Sequence, residues 1–458
     1  MKLLKSLLFF IALLFIIPIN FVNASDNKID YYTILLKNKN DYENFKKTIN
    51  KNDVEIIYSV EEVGMMQVKT NEDTIKKLGF SSFVKSYGKS IRTVKNNLNS
   101  NPLNNDTIQN SQWDMKKITN NGESYKIFSG TKNVSVGIID TGLDIHHPDL
   151  KENIVNGSKN LVPIGGFRGQ ELNENGDINY LNDLSGHGTY TAGQIAANGK
   201  LKGVAPGIGI KAYKVFGQQS AESIWVIKAI IEASKDDVDV INLSLGDYLL
   251  NGNYSSNNKI ISTDIPEIEG YQRAINFAIK SGSVVVAAAG NDGLDVKDKI
   301  KLNNFFKSYL ELNGLEKINF TGEIYDIPAS LSGVVTVSST GPTNELSIFS
   351  NYGKNFVDIV APGGDFRLLN KYGSEFWSKN KLYEKEQILT TAPNGDYIYQ
   401  SGNSLAAPKV SGTLALIIDK NHFKNKPNKA INFLYNYGVD KNSNFGHGTL
   451  NVYKAVTH

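Results

Sequence analysis

Val134-Ser-Val-Gly-Ile-Ile-Asp140-Thr-Gly142 is the stretch from which the fold is read. Its first six residues are apolar or small and do not alternate with polar ones, which predicts a strand covered on both faces. The run stops at an acid followed by a turn. Similar runs recur at 211–215, 238–245, 284–289, 334–337 and 357–360, with helical stretches such as 223–234 and 271–281 between them. Buried strands alternating with helices predict an α/β fold on a doubly wound, mainly parallel sheet. In such sheets functional groups gather beyond the carboxyl ends of the strands, so Asp140 stands where a site residue is expected. Taken alone, Asp-Thr-Gly reads equally well as a turn whose Asp bonds its own backbone.

Three further stretches carry chemistry. Ser185-Gly-His187-Gly-Thr189 opens a helix of small residues, and glycines on both sides of the histidine leave room for a substrate. Only six histidines occur in the chain, and an isolated one is usually a surface or satisfied core residue. Ser401-Gly-Asn-Ser404-Leu-Ala-Ala-Pro408 leads into an apolar helix over 410–418. A serine there can be a plain N-cap, or it can project from a helix end whose dipole and free N–H groups favour developing negative charge. Ala287-Ala-Ala-Gly-Asn291 ends the run at 284–289 with an asparagine that can donate its side-chain N–H or simply occupy a turn.

In the order Asp140, His187, Asn291, Ser404 these motifs resemble the subtilisin-like serine peptidases, from about Trp113 to the end of the chain. The resemblance implies a serine endopeptidase: Ser404 as nucleophile, His187 as general base, Asp140 orienting the imidazole, and Asn291 with the backbone N–H of Ser404 as oxyanion hole. It also assigns Ser244-Leu245-Gly246 to pairing with an extended substrate. Asp326, in Ile324-Tyr-Asp326-Ile-Pro-Ala-Ser330, falls at the base of the P1 specificity pocket, where an acid implies a basic P1 side chain. The chain departs from the family at Asn403 and Leu405, which replace the usual Thr and Met and are expected to alter packing only. It also carries a long polar insertion over 292–321, which would either cover the cleft or decorate the surface. No cofactor is needed for this chemistry and no metal ligands are assigned. His147-Pro-Asp149-Leu matches a structural calcium position of the family, so a structural calcium is possible, but the loop Asn198-Gly-Lys-Leu-Lys-Gly203 is short, holds two lysines and does not support it.

Residues 25–95 read as a compact β-α-β-β-α-β unit similar to the inhibitory and folding-assisting prosegments of these proteases, with an independent secreted domain as the other reading. Residues 96–112, rich in Asn, Ser and Pro, read as an exposed linker holding the autoprocessing site, expected between about Thr93 and Asp106 with Arg92 the best-placed P1 residue. Residues 113–458 form the peptidase domain. Lys2 and Lys5, an apolar run from Leu7 to Ile17, and Val22-Asn-Ala24 describe a signal peptide over 1–24, and the apolar run is short for a membrane anchor.

The protein is therefore expected to be secreted, without a stable anchor, as a monomer. Its 458 residues contain no cysteine, so a core rather than disulfides must hold it. A net charge of +3 and the absence of basic–aromatic tracts argue against nucleic acid as a partner. The expected partners are a peptide or precursor-protein substrate and the chain's own prosegment. The resemblance is strongest to leader peptidases that mature lantibiotic precursors. A broad degradative subtilase and a catalytically silent binding protein are the alternatives, the latter disfavoured because all four chemical positions are intact.

Overall fold

The computed structural model describes residues 28–49, 54–94, 101–102, 111–218, 220–256, 259–312, 317–441 and 444–458. The signal peptide expected over 1–24 lies outside them. The amino-terminal unit comprises β1 (Ile29–Leu36), α1 (Tyr42–Ile49), β2 (Glu55–Val60), β3 (Met65–Asn71), α2 (Glu72–Gly79) and β4 (Val84–Lys89), its strands antiparallel in the order β2-β3-β1-β4. This is the element order read from the sequence. In α1 the apolar side chains Tyr42, Phe45 and Ile49 recur at helical spacing, and all three are buried against the sheet. Asn71 caps α2 by accepting the Thr74 N–H at 2.9 Å. Two short strands follow, β5 (Arg92–Val94) and β6 (Asn101–Pro102).

The stretch 134–142 forms β7 (Ser135–Asp140), every residue of which is buried. It lies in a nine-stranded sheet with β8 (Lys159–Asn160), β9 (Gly209–Lys214), β11 (Val240–Leu243), β14 (Val284–Ala288), β16 (Val334–Thr340) and β17 (Ile359–Pro362). These seven run parallel in the order 17-16-14-11-7-9-8, and Thr449–Leu450 and Val439–Asp440 extend the β17 edge. From β7 the chain first builds outward to β9 and β8, then returns to β11 on the opposite side. The strand order therefore reverses between β7 and β11, the crevice where doubly wound sheets place their ligands.

Helices cover both faces. The first layer holds α3 (Trp113–Ile118), α4 (His187–Ala196) and α8 (Asn403–Lys420), which is buried from Asn403 through Ile418; it packs on Val136, Ile138, Val240, Val284 and Val286. The second holds α5 (Ser223–Lys235) and α6 (Ile265–Lys280), which pack on Ile139, Ile241, Leu243, Val285 and Ala287. Alternate residues of each strand serve opposite layers, which is why the strands read as unbroken apolar runs.

The described residues of the insertion are folded. β12 (Asp247–Ser256) pairs with β13 (Lys259–Ser262) and, over nine residues, with β15 (Asn319–Ile327). Helix α7 (Lys299–Leu312) closes this ribbon around Leu250, Leu302, Phe306, Leu310 and Ile324. A hairpin of β18 (Ile388–Ala392) and β19 (Asp396–Gln400) precedes α8, and β6 adds to its edge. Separately, β5 adds to β10 (Ser220–Glu222) in antiparallel pairing. No helix among the described residues is long and apolar enough to cross a membrane.

Candidate active site

Asp140 is the last residue of β7 and His187 the first of α4, so strand tip and helix start bring the two together. His187 Nδ1 lies 2.8 Å from Oδ1 and 2.9 Å from Oδ2 of Asp140. The approach needs glycine. A Cβ on Gly188 would meet the Gly142 carbonyl oxygen at 2.0 Å, and Gly186 enters the helix at φ 88°.

Sequence reasoning missed the residue that ties these loops together. Asp183, 2% exposed, accepts the Thr141 hydroxyl and the Gly186 N–H through Oδ1, both at 2.7 Å. Its Oδ2 accepts the Thr189 N–H at 2.8 Å and hydroxyl at 2.7 Å. Thr141 in turn accepts the Gly188 N–H at 2.9 Å. A buried carboxylate with four donors fixes both segments at once. Its signal was an acid ahead of a helix start, a pattern also met in simple capping.

Ser404 is the second residue of α8 and 4% exposed. Pro408, four residues on, has no N–H with which to bond the Ser404 carbonyl. Ser244 Oγ bonds that oxygen instead, at 3.0 Å, and is itself held by Asn242 Nδ2 at 3.0 Å. Ser244 thus joins the tip of β11 to the start of α8, which packs against α4 and β7.

Gly290, at φ 82°, turns the chain after β14, and Asn291 follows. The Asn403 N–H donates to Asn291 Oδ1 at 2.9 Å, which leaves the Asn291 NH2 as the end free to point elsewhere. Asn403, expected as a packing change only, also donates its side-chain N–H to the Gly290 carbonyl, and its Oδ1 accepts from Ser350 Oγ at 2.8 Å.

Ser244-Leu245-Gly246 lies between β11 and β12, outside both strands. Asp326 is 4% exposed and sits between this segment and the turn at Gly290: a Cβ on Gly246 would lie 3.5 Å from its Oδ1, one on Gly290 2.7 Å from its Oδ2. Asn351 Nδ2 donates to Asp326 Oδ2 at 3.0 Å. Burial pushes the Asp326 carboxyl well above the usual range, and the neighbouring charges of Asp292 and Asp247 add to the rise.

Asp149, at the family's calcium position, spends its carboxylate on the loop itself. Oδ1 accepts the Lys200 N–H at 3.0 Å and Oδ2 the Leu201 N–H at 2.8 Å. Among the described residues no group of three or more His, Asp or Glu is placed to hold a metal ion. Arg92, the P1 candidate, pairs with Glu222 in the β5–β10 ladder, and its guanidinium lies 4.9 Å over the Phe167 ring. Most of the autoprocessing window, residues 95–100 and 103–106, lies outside the described residues. β10 is a second pairing edge that the sequence did not disclose.

Residues 131–448 match the subtilase family. The epidermin leader peptide-processing serine protease of Staphylococcus epidermidis is 41% identical over 453 residues, 95% of each chain. The nisin leader peptide-processing serine protease of Lactococcus lactis is 43% identical over 73% of this chain and 47% of its own. Among solved structures, the epidermin leader peptide-processing protease of Staphylococcus aureus superposes with a TM-score of 0.83 at 44% identity, covering 94% of this chain and 98% of the other.

Proposed function

The chain belongs to the subtilase family and is a serine protease, and we propose that it removes the leader of a lantibiotic-type precursor by cutting after a basic residue. The observation that carries this reading is the buried acid Asp326 between Gly246 and Gly290, which follow the carboxyl ends of β11 and β14 as Asp140 ends β7. The relatives at 41% and 43% identity process leader peptides, which supports a narrow substrate.

In the proposed mechanism the Asp140 carboxylate keeps the proton on His187 Nδ1 and leaves Nε2 as the base. Nε2 takes the Ser404 hydroxyl proton as Oγ attacks the scissile carbonyl carbon. The resulting oxyanion is met by the Asn291 side-chain N–H and the Ser404 backbone N–H, where the α8 dipole adds positive potential. His187 then returns the proton to the leaving amine as the C–N bond breaks, and water hydrolyses the acyl-enzyme by the same route. No step calls on a metal.

Residues 25–95 act in this reading as the prosegment and 96–112 as the cut linker. The docking of β5 along β10 supports it, because strand addition delivers a tail in the extended form a cleft requires. The basic and apolar start of the chain and its small residues at 22–24 support export.

The test compares kcat/KM on matched P1-Arg, P1-Lys and P1-Leu peptides for the wild type and Asp326→Gly. Truncating one partner of a buried charge pair costs about 2–5 kcal/mol, or roughly 30- to several-thousand-fold. The variant should lose that much on P1-Arg and gain on P1-Leu. An unchanged Arg-to-Leu ratio would remove Asp326 from the pocket and leave the triad standing.

A further inference from the structure

Asn351 lies in the segment after β16, remote in sequence from every motif of the site, and is fully buried at 0% exposure. Its backbone N–H donates to the Gly290 carbonyl at 3.1 Å. Its Oδ1 accepts the Asp292 N–H at 3.2 Å and the Leu294 N–H at 3.0 Å. These bonds grip the chain on both sides of Asn291, the residue whose side chain is read as the oxyanion donor. The other end of the same amide faces the specificity pocket. Nδ2 donates to Asp326 Oδ2 at 3.0 Å and to the Tyr248 hydroxyl at 2.7 Å, and that hydroxyl donates to Asp292 Oδ2 at 2.7 Å. The Asn351 carbonyl is fixed as well, accepting from Ser338 Oγ at 2.7 Å.

We propose that Asn351 is a positioning residue that couples the acid recognising the P1 side chain to the loop presenting the oxyanion donor. The planar carboxamide is what allows this. A rigid group with acceptor and donor at opposite corners holds two segments at a set separation, and both of its ends are committed. A shift of the Asp326 carboxylate when a cationic side chain enters is passed through the amide to residues 290–294. Sub-ångström placement of an oxyanion donor matters, since misplacement by about 1 Å costs on the order of 100-fold in rate. Tyr248 closes the circuit by bonding both Asn351 and Asp292. The coupling rests on the reading of Asp326 as the P1 acid, and the test separates the two.

Four forms are compared on P1-Arg and P1-Leu peptides, with active sites counted by burst titration: wild type, Asn291→Ala, Asp326→Asn and Asn351→Ala. Asn291→Ala is expected to lower kcat on both peptides alike, and Asp326→Asn to change mainly the Arg-to-Leu ratio. Asn351→Ala is expected to do both, with kcat per active site down about 10-fold, less than the roughly 100- to 1000-fold for losing a donor outright, and the Arg-to-Leu ratio down several-fold. A residue that merely supports the fold would lower the number of active sites and leave both quantities per site unchanged, which overturns the proposal. So does a change in only one of them. A ratio that fails to move in Asp326→Asn condemns the P1 reading itself, and the coupling falls with it. Should Asn351→Ala not fold, Asn351→Ser and Tyr248→Phe carry the same expectation at smaller amplitude, and an unaffected pair of values in both overturns it equally.

Discussion

His187, Asp140, Asn291 and Ser404 could be proposed from the sequence because each sits in a frame of glycine or other small residues, and such frames are local. Asp183 and Asn351 could not. Asp183 ties the nearby Gly186 and Thr189 to the distant Thr141, and Asn351 bonds residues far along the chain through the two ends of one amide. An acid ahead of a helix start reads as a simple cap, and nothing in the residues beside Asn351 announces its bonds. Asp326 was placed by its neighbours, but its environment was not legible. Burial raises its pKa, so the neutral form persists to higher pH than for an ordinary carboxylate. Only the ionised form pairs with an arginine. As pH falls through this raised pKa, kcat/KM on P1-Arg peptides should therefore drop faster than on P1-Leu peptides, while any titration shared by both cancels in the ratio. Plotting the Arg-to-Leu ratio against pH checks this. A ratio independent of pH would mean that Asp326 does not titrate against the substrate.

At the scale of elements, the parallel sheet was read correctly because strands buried on both faces have no polar face to interrupt the pattern. The insertion was read only as polar. In α7 the buried residues Leu302, Phe306 and Leu310 recur every four positions, but lysines and asparagines dilute the signal, and pairing of β15 with β12 depends on residues about 70 positions apart. Helix α8 carries a feature that its apolar reading concealed. Lys409 Nζ lies 2.9 Å from Asp114 Oδ2, with both side chains fully buried, and donates to Gln194 Oε1 at 2.6 Å. The pair joins α3, at the amino-terminal edge of the peptidase domain, to the helix that bears Ser404. Lys409→Met strands a buried carboxylate and should cost about 3–5 kcal/mol of stability. The double variant Asp114→Asn/Lys409→Met should recover much of that. Urea unfolding of the three forms decides, and a single variant as stable as the wild type would show that the pair contributes nothing.

At the scale of the molecule, the amino-terminal unit rests on α5 and α6. Leu35, Val60, Val63 and Met65 join the core of the larger unit, Thr33 bonds Glu267 at 2.5 Å, and Tyr58 bonds the Leu161 carbonyl at 3.0 Å. Lys85 with Glu269 at 2.8 Å and Arg273 with the Val63 carbonyl at 2.7 Å lie along the same seam. The element order of this unit was legible and the seam was not, because its contacts are long-range pairs without a sequence pattern. In the proposed reading a unit so docked, with its tail paired to β10, is the prosegment of a precursor that is cut before the cleft opens to other substrates. The direct measurement is the fate of the Ser404→Ala chain, produced in a host lacking other proteases and analysed by mass and amino-terminal sequence. The wild type should be cut between its amino-terminal unit and Trp113 and should hydrolyse P1-Arg peptides. The variant should remain one uncut chain, with hydrolysis lowered to background, on the order of a million-fold. A variant that still matures, or still turns over peptide, would contradict this prediction.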